Sequence, residues 1–315
     1  MMGINHSKCA YWATIDGRES DLKFHISNGA ELSRVDATTG RSLIHIACER
    51  GDVRCVELIN QCTRGRHLNQ MDRDENTPLN LAVYWNHFNT VCTLLKLGAD
   101  PNFVQKRSLR FHRMPQHIAA TKRCMLILQE LIHHGCHIDV QDSWGCTPLM
   151  VAINSKSIEC VKLLLVHQAN VELRDYLYNA TPLQIAIHSK YYDVIPLLLY
   201  NGAEINVSGA KFSTPLVQAA EIRAVHLIQT LLEFGGKPNV LVPFANKLHL
   251  ADLIEEYSQP RKLSSLCRIV LRRKYKSQLP QIVKNIFSPK ICEYILGINM
   301  EFSGESLEEM EDSNQ

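Results

Sequence analysis

The sequence carries little excess charge of either sign. Its 34 basic and 32 acidic side chains leave a formal net charge of +2 over 315 residues. Recognition of nucleic acid needs a concentrated basic surface, so a balance this even argues against a nucleic-acid partner. Because 45% of the residues are hydrophobic, the chain can still bury a sizeable core, and we expect it to be globular over most of its length.

Long apolar runs are also missing. No stretch approaches the roughly 18 uninterrupted apolar residues of a membrane span, and Met1 to Tyr11 lacks the apolar core of a signal peptide. Gly3 follows two methionines, so the usual start for N-myristoylation is absent as well. We expect no direct membrane insertion and a cytoplasmic or nuclear location.

Paired cysteines and catalytic motifs are lacking too. The 11 cysteines are odd in number and never form a Cys-x-x-Cys pair, which favours a reducing compartment. The run His133 to His137 is a potential cluster of zinc ligands, but it occupies a turn where adjacent side chains point apart. No nucleophile elbow, zinc-protease helix or phosphate loop occurs. We therefore expect no enzyme, no cofactor and no metal site.

A short motif, read as Thr-Pro-Leu-x-x-Ala, recurs along the chain at intervals of 33 to 37 residues. Thr or Ser can cap a helix, Pro suits the first helical position, and the small Ala lets paired helices approach closely. A second apolar run follows each motif and usually ends in a glycine, so each unit predicts two helices and a turn. The six copies are Arg41–Ala47, Asn76–Ala82, Arg113–Ala119, Cys146–Ala152, Ala180–Ala186 and Ser213–Ala219.

The period and the motif resemble the ankyrin repeat. The resemblance implies an all-α solenoid over residues 7–240, made of a weak N-terminal repeat and six recognisable repeats. In that family the loops between successive repeats project as fingers. Residues 241–257 then connect the solenoid to a further C-terminal segment.

That C-terminal segment contains one apolar stripe at helical spacing, formed by Leu263, Leu266, Cys267, Val270 and Leu271. Periodicity alone also fits a helix packed on the last repeat. The Leu-x-x-x-Cys-x-x-x-Leu spacing, however, resembles the elongin-binding box of SOCS-box proteins. Its place after ankyrin repeats resembles the ankyrin repeat and SOCS box protein family, which implies a small helical SOCS box at residues 258–300 and binding to elongin B and elongin C.

The second half of a SOCS box normally directs binding to cullin 5 and its RING partner through a Leu-Pro-apolar-Pro segment. Here Asn285 to Ser288 replaces that segment, with a proline only at Pro289. The resemblance therefore implies elongin binding more strongly than a choice of cullin. The cullin-facing positions that it carries over are Ile282, Phe287, Ile291 and Tyr294. Residues 301–315 form an acidic tail that we expect to be disordered.

The binding site for an unknown protein substrate is predicted on the fingers, which are free of the packing demands on the helices. Trp144, Tyr176 and Tyr178 could form one aromatic anchor patch, although packing against a neighbouring finger explains them equally well. Lys106, Arg107 and Arg110 lie in a lengthened finger, which is either a tolerated insertion or a contact for an acidic partner.

Two functions follow from these patterns. The first is the substrate-recognition subunit of an elongin-cullin-SOCS-box ubiquitin ligase, with the repeats holding the substrate. The second is a non-catalytic ankyrin scaffold or regulator in which the C-terminal helices only close the solenoid. In neither case does the chain carry out chemistry itself.

Overall fold

The computed structural model of the chain describes residues 5–103, 114–208, 212–245 and 250–258. Those residues are helical apart from turns and loops. Within them the one β-type pairing is an isolated bridge between Val35 and Ser42, and no strand forms. This confirms the all-helical solenoid predicted for the repeats, whereas the proposed SOCS box lies outside the described residues.

The helices follow one another as seven pairs. In chain order the pairs are α1 (His6–Asp16) with α2 (Glu19–Ser27), α3 (Leu43–Arg50) with α4 (Val53–Thr63), α5 (Pro78–Tyr84) with α6 (Phe88–Lys96), α7 (Pro115–Thr121) with α8 (Met125–His133), α9 (Pro148–Asn154) with α10 (Ile158–Val166), α11 (Pro182–His188) with α12 (Ile195–Tyr200), and α13 (Pro215–Glu221) with α14 (Val225–Glu233). A 3-10 turn (Tyr192–Val194) precedes α12, and a 3-10 segment (Pro238–Phe244) and α15 (Ala251–Ser258) follow the last pair.

The first helix of most pairs begins where the repeated motif places it. Thr77, Thr147 and Thr181 stand before a proline at the first helical position, and each side chain accepts a hydrogen bond from a backbone N–H of the first turn. This satisfies donors that a helix start would otherwise leave without a partner. Thr214 makes no such bond, and Met114 has no hydroxyl to offer.

The helix pairs stack into two layers. The first helices of successive pairs contact one another from α1 through α13, and the second helices contact one another in the same way from α2 through α10. The motif alanines are fully buried between the layers, which is why a small residue is needed there: Ala47, Ala82, Ala119, Ala152, Ala186 and Ala219. The core therefore runs along the whole solenoid instead of centring on one point.

Polar side chains tie each repeat to the next one. The backbone N–H of Ser42 donates to His45 Nδ1 at 3.2 Å, and His45 Nε2 lies 3.2 Å from the carbonyl oxygen of Asn76 in the next repeat. Gln184 does the same with an amide: Nε2 donates to the carbonyl oxygen of Ser213 at 3.1 Å. These links hold the first helix of one repeat against the finger of the next. Within the described ranges, no helix is long and apolar enough to cross a membrane.

Candidate functional site

The predicted site residues divide between described and undescribed parts of the chain. Trp144, Tyr176 and Tyr178 are described. The basic finger residues Lys106, Arg107 and Arg110 lie outside the described residues, as do the elongin-facing Leu263, Leu266, Cys267, Val270 and Leu271 and the cullin-facing Ile282, Phe287, Ile291 and Tyr294. The geometry of the site is therefore built from the fingers between α8 and α13.

Two buried aspartates shape these fingers. Asp142 Oδ1 accepts hydrogen bonds from the backbone N–H groups of Trp144 and Cys146, both at 2.9 Å. Asp175 Oδ1 accepts from the N–H groups of Tyr178 at 3.3 Å and Ala180 at 2.7 Å. A carboxylate that bonds to its own loop in this way fixes the turn. Hydrogen bonds within each finger thus hold the backbone at Trp144 and at Tyr178.

Tyr176 joins one finger to the preceding one. Its backbone N–H donates to the carbonyl oxygen of Trp144 at 2.8 Å, and its hydroxyl donates to Gln141 Oε1 at 3.3 Å. The Tyr176 ring lies so close to Gly145 that an added Cβ would sit 2.6 Å from ring atom Cγ. Tyr176 therefore makes the neighbouring-finger contact, although 68% of its surface remains exposed.

Trp144 and Tyr178 line an open cavity of about 440 Å³ between the fingers and the C-terminal ends of α9 and α11. We call this cavity the aromatic groove. Its walls are formed by Trp144, Leu177, Tyr178, His188 and Phe212, with the carboxylates of Asp142 and Asp175 among the lining residues. A groove of this size and composition suits side chains from a partner protein.

Three aromatic rings of the groove contact one another. The ring centroids of Tyr178 and Phe212 are 5.6 Å apart with an interplanar angle of 66°, and those of His188 and Phe212 are 5.2 Å apart. Such arrangements rigidify a surface before any partner arrives. The three rings come from two fingers and one helix end, so they meet only because the repeats stack.

Sequence reasoning missed several of these residues. His188 occupies the second position after the motif alanine Ala186, which corresponds to Tyr84, Thr121 and Asn154 in other repeats. Thr121, Asn154 and His188 all line the groove, so an alignment of the repeats at that position would have indicated that these three residues lie on the same side of the solenoid. Phe212 carries no comparable signal, because it stands in an irregular stretch before the last motif.

An exposed aromatic pair lies at the C-terminal end of α5. Tyr84 and Trp85 are about half exposed and stack edge to face with centroids 5.5 Å apart. Lys122 Nζ lies 3.9 Å from the centroid of the Tyr84 ring, which is a cation–π contact between neighbouring repeats. This face of the solenoid therefore already holds a cation against an aromatic ring.

A second cavity, of about 320 Å³, lies at the N-terminal end beside Tyr11, Asp36 and Arg41. Three of its charged side chains, Asp36, Arg41 and Glu49, have partners within the chain. Arg41 pairs with Glu49 at 2.7 Å and with Asp72 at 3.2 Å, and hydrogen bonds from Thr38 and Thr39 hold the pKa of the Asp36 carboxyl far below its usual range. Such a site offers little unmet charge to a ligand.

The buried cysteines behave as apolar side chains. Burial raises the pKa of the Cys55 and Cys136 thiols to about 12 and that of Cys48 still higher, so these thiols stay protonated at neutral pH. In the part of the chain that the structure describes, no three His, Cys, Asp or Glu side chains gather as a metal site would require.

Comparison with known proteins gives one family. The family model for ankyrin repeats (3 copies) matches residues 10–105 and 116–209, together more than half of the chain. Among curated proteins, the chain is similar to the ankyrin repeat protein nuc-2 of Neurospora crassa, with 28% identity over 239 residues. It is also similar to the target of rapamycin complex 2 subunit AVO2 of Saccharomyces cerevisiae, with 34% identity over 145 residues.

These matches cover 76% and 46% of this chain but only 19% and 33% of the two relatives. Among solved structures, the ankyrin repeat domain of human ASB11 is similar with a TM-score of 0.60 and 28% identity, covering 71% of this chain and 96% of that one. The ankyrin repeat domain of Bcl-3, described as a member of the IkappaB protein family, gives a TM-score of 0.56 and 28% identity, covering 61% and 86%.

Proposed function

The chain belongs to the ankyrin-repeat family, and from that premise we propose that it is the substrate-recognition subunit of an elongin-cullin ubiquitin ligase. The observation that carries the proposal is the spacing of Leu263, Cys267 and Leu271 directly after the last repeat. An apolar stripe of this pattern suits insertion into a hydrophobic pocket of elongin C. The likeness of the repeats to the ankyrin domain of ASB11 is compatible with it.

The substrate half of the proposal rests on the aromatic groove. Partner-binding surfaces concentrate their energy in a few aromatic anchors that sit in preformed pockets. Trp144 and Tyr178 are partly exposed residues of this kind. Asp142 holds the Trp144 backbone, while Asp175 holds the Tyr178 backbone and the Phe212 ring contacts the Tyr178 ring. A partner segment lying along the finger side of the solenoid would meet them together.

The chain would act by proximity and not by chemistry of its own. A substrate held in the groove and a ligase module held at the C-terminal segment are carried on one polypeptide, which raises the effective concentration of one at the other. Transfer of ubiquitin then depends on another protein's reactive thioester. The cullin would be cullin 5 with its RING partner, bound less tightly than by a chain with an intact Leu-Pro-apolar-Pro segment.

Binding to purified elongin B and elongin C tests the proposal. We expect the full chain to retain the elongin pair, and Leu263→Ala combined with Cys267→Phe to abolish retention. One change removes an apolar anchor and the other overfills its pocket, and each buried anchor is worth about 2 to 4 kcal/mol.

The matched control is Trp144→Ala with Tyr178→Ala, which alters the groove and should retain the elongins fully. Absence of elongin binding by the folded wild-type chain would contradict the ligase proposal. The chain would then be an ankyrin scaffold without ligase assembly.

A further inference from the structure

The groove contains a buried carboxylate with only one of its two oxygens hydrogen-bonded. Asp142 is 3% exposed, and its Oδ1 holds the finger through two backbone N–H groups. Its Oδ2 is buried and has no hydrogen-bond partner among the described residues. A buried charge without compensation is costly and is normally neutralised by a partner.

Another finger of the chain shows one partner that this position can take. Asp72 occupies the same place in an earlier finger, where its Oδ1 accepts from the N–H groups of Asp74 and Asn76. The other oxygen of Asp72 accepts from Arg41 Nε at 3.2 Å. In that finger, one carboxylate oxygen shapes the loop and the other one binds a guanidinium.

The walls of the groove also suit a guanidinium group. Arg and Lys side chains favour the faces of aromatic rings, and a guanidinium both stacks on a ring and pairs with a carboxylate. Trp144, Tyr178 and Phe212 supply rings, and Asp175 supplies a second carboxylate among the lining residues. The groove is open and, at about 440 Å³, has room for a side chain from an extended segment.

We propose that the aromatic groove takes a basic side chain, Arg in preference to Lys, from an extended segment of the partner protein. The inference rests on the proposed role of this face in partner recognition and is independent of the elongin contact. The basic finger with Lys106, Arg107 and Arg110 predicts acidic residues elsewhere in the same partner. The carboxylates of the groove, by contrast, favour a basic side chain.

Titration of the full chain, labelled with ¹⁵N in its Trp side chains, tests the inference. The chain has 3 Trp residues, so the Trp144 indole signal can be assigned with Trp144→Phe. The probes are the Nα-acetyl amides of arginine, lysine, citrulline and glutamate. We expect arginine to shift the Trp144 signal, lysine to do so more weakly, and neutral citrulline and glutamate to leave it in place.

Asp142→Asn keeps an Oδ1 acceptor for the finger but removes the charge, and should weaken the arginine response by about tenfold or more, since charge-assisted bonds are worth about 1.5 to 3 kcal/mol. Asp72→Asn is the matched control in a finger outside the groove and should leave the response unchanged. Arg113→Gln removes the residue at the same motif position as Arg41, and the response should persist in this variant.

Three results would overturn the inference: no shift with arginine, an equal shift with citrulline or glutamate, or a shift that appears only in Arg113→Gln. The last result would mean that the chain's own arginine occupies the groove. Elongin retention is measured on the same samples. A failed titration with elongins retained therefore rejects the basic side chain and leaves the ligase proposal standing.

Discussion

His45 is a buried histidine that joins two repeats. Its Nδ1 accepts from the Ser42 N–H, so Nε2 carries the proton that faces the Asn76 carbonyl oxygen. Burial lowers the pKa of His45 below its ordinary value of 6.5. Protonation at Nδ1 would remove the acceptor and place a charge in the core, which is why the folded protein disfavours it.

This histidine predicts a loss of stability in mild acid. Because the folded pKa is depressed, the unfolded chain binds a proton first, and the free energy of unfolding falls as the pH drops below about 6.5 towards the folded pKa. Each unit of depression corresponds to about 1.4 kcal/mol. His45→Gln should flatten this part of the profile, because Gln184 makes the equivalent two bonds in a later repeat.

Urea unfolding measured between about pH 5 and 8 checks this prediction, because histidine titrates in that range. His167→Gln is the control, because His167 is exposed on the end of α10. The explanation fails if the wild-type chain and His45→Gln show the same dependence on pH.

At the scale of the element, the helices were predictable and the groove only partly so. Thr caps the helix that begins directly after it, and Pro occupies the first position of that helix. Local sequence was therefore enough to identify Thr77, Thr147 and Thr181 as helix caps. The first helix lacks the motif and is capped instead by Asn5, whose side chain accepts from the Lys8 N–H. Phe212 and His188 meet Tyr178 through the stacking of repeats, which no local pattern encodes.

The close approach of two fingers at Gly145 gives a second prediction. Gly145 has a φ of +77°, and an added Cβ would meet the Tyr176 backbone nitrogen at 2.5 Å. Gly98 also has a positive φ, of +93°, but an added Cβ there would meet nothing within 4 Å. Both alanine variants share the left-handed backbone cost, and only Gly145→Ala adds a clash with backbone.

We expect Gly145→Ala to lower the free energy of unfolding by about 1 to 3 kcal/mol more than Gly98→Ala does, which is the usual cost of overpacking. Because the clash pushes apart the fingers that hold Trp144 and Tyr178, it should also weaken binding in the aromatic groove. Urea unfolding measures the first effect. Equal losses in the two variants would show that the fingers accommodate the added methyl group.

At the scale of the whole molecule, we propose two binding surfaces on one chain. The aromatic groove lies between the fifth and sixth helix pairs, around α9 and α11, and the proposed elongin-binding positions begin at Leu263, which follows α15 in the sequence. Solenoid repeats contact only their neighbours, so a change in the groove should leave distant surfaces unaltered. Substrate capture and ligase recruitment should therefore be separable by mutation, yet both should be needed for ubiquitination of the substrate.

The most direct measurement is a comparison of ubiquitinated proteins in cells that express the wild-type chain, the groove variant Trp144→Ala with Tyr178→Ala, the elongin variant Leu263→Ala with Cys267→Phe, or all four changes together. We expect the same cellular proteins to lose ubiquitin with either double variant, and the combined variant to add no further loss. Trp12→Ala, at an exposed aromatic residue outside the groove, should change nothing. Non-overlapping sets of affected proteins, or no loss in either variant, would contradict the proposed substrate-recognition function.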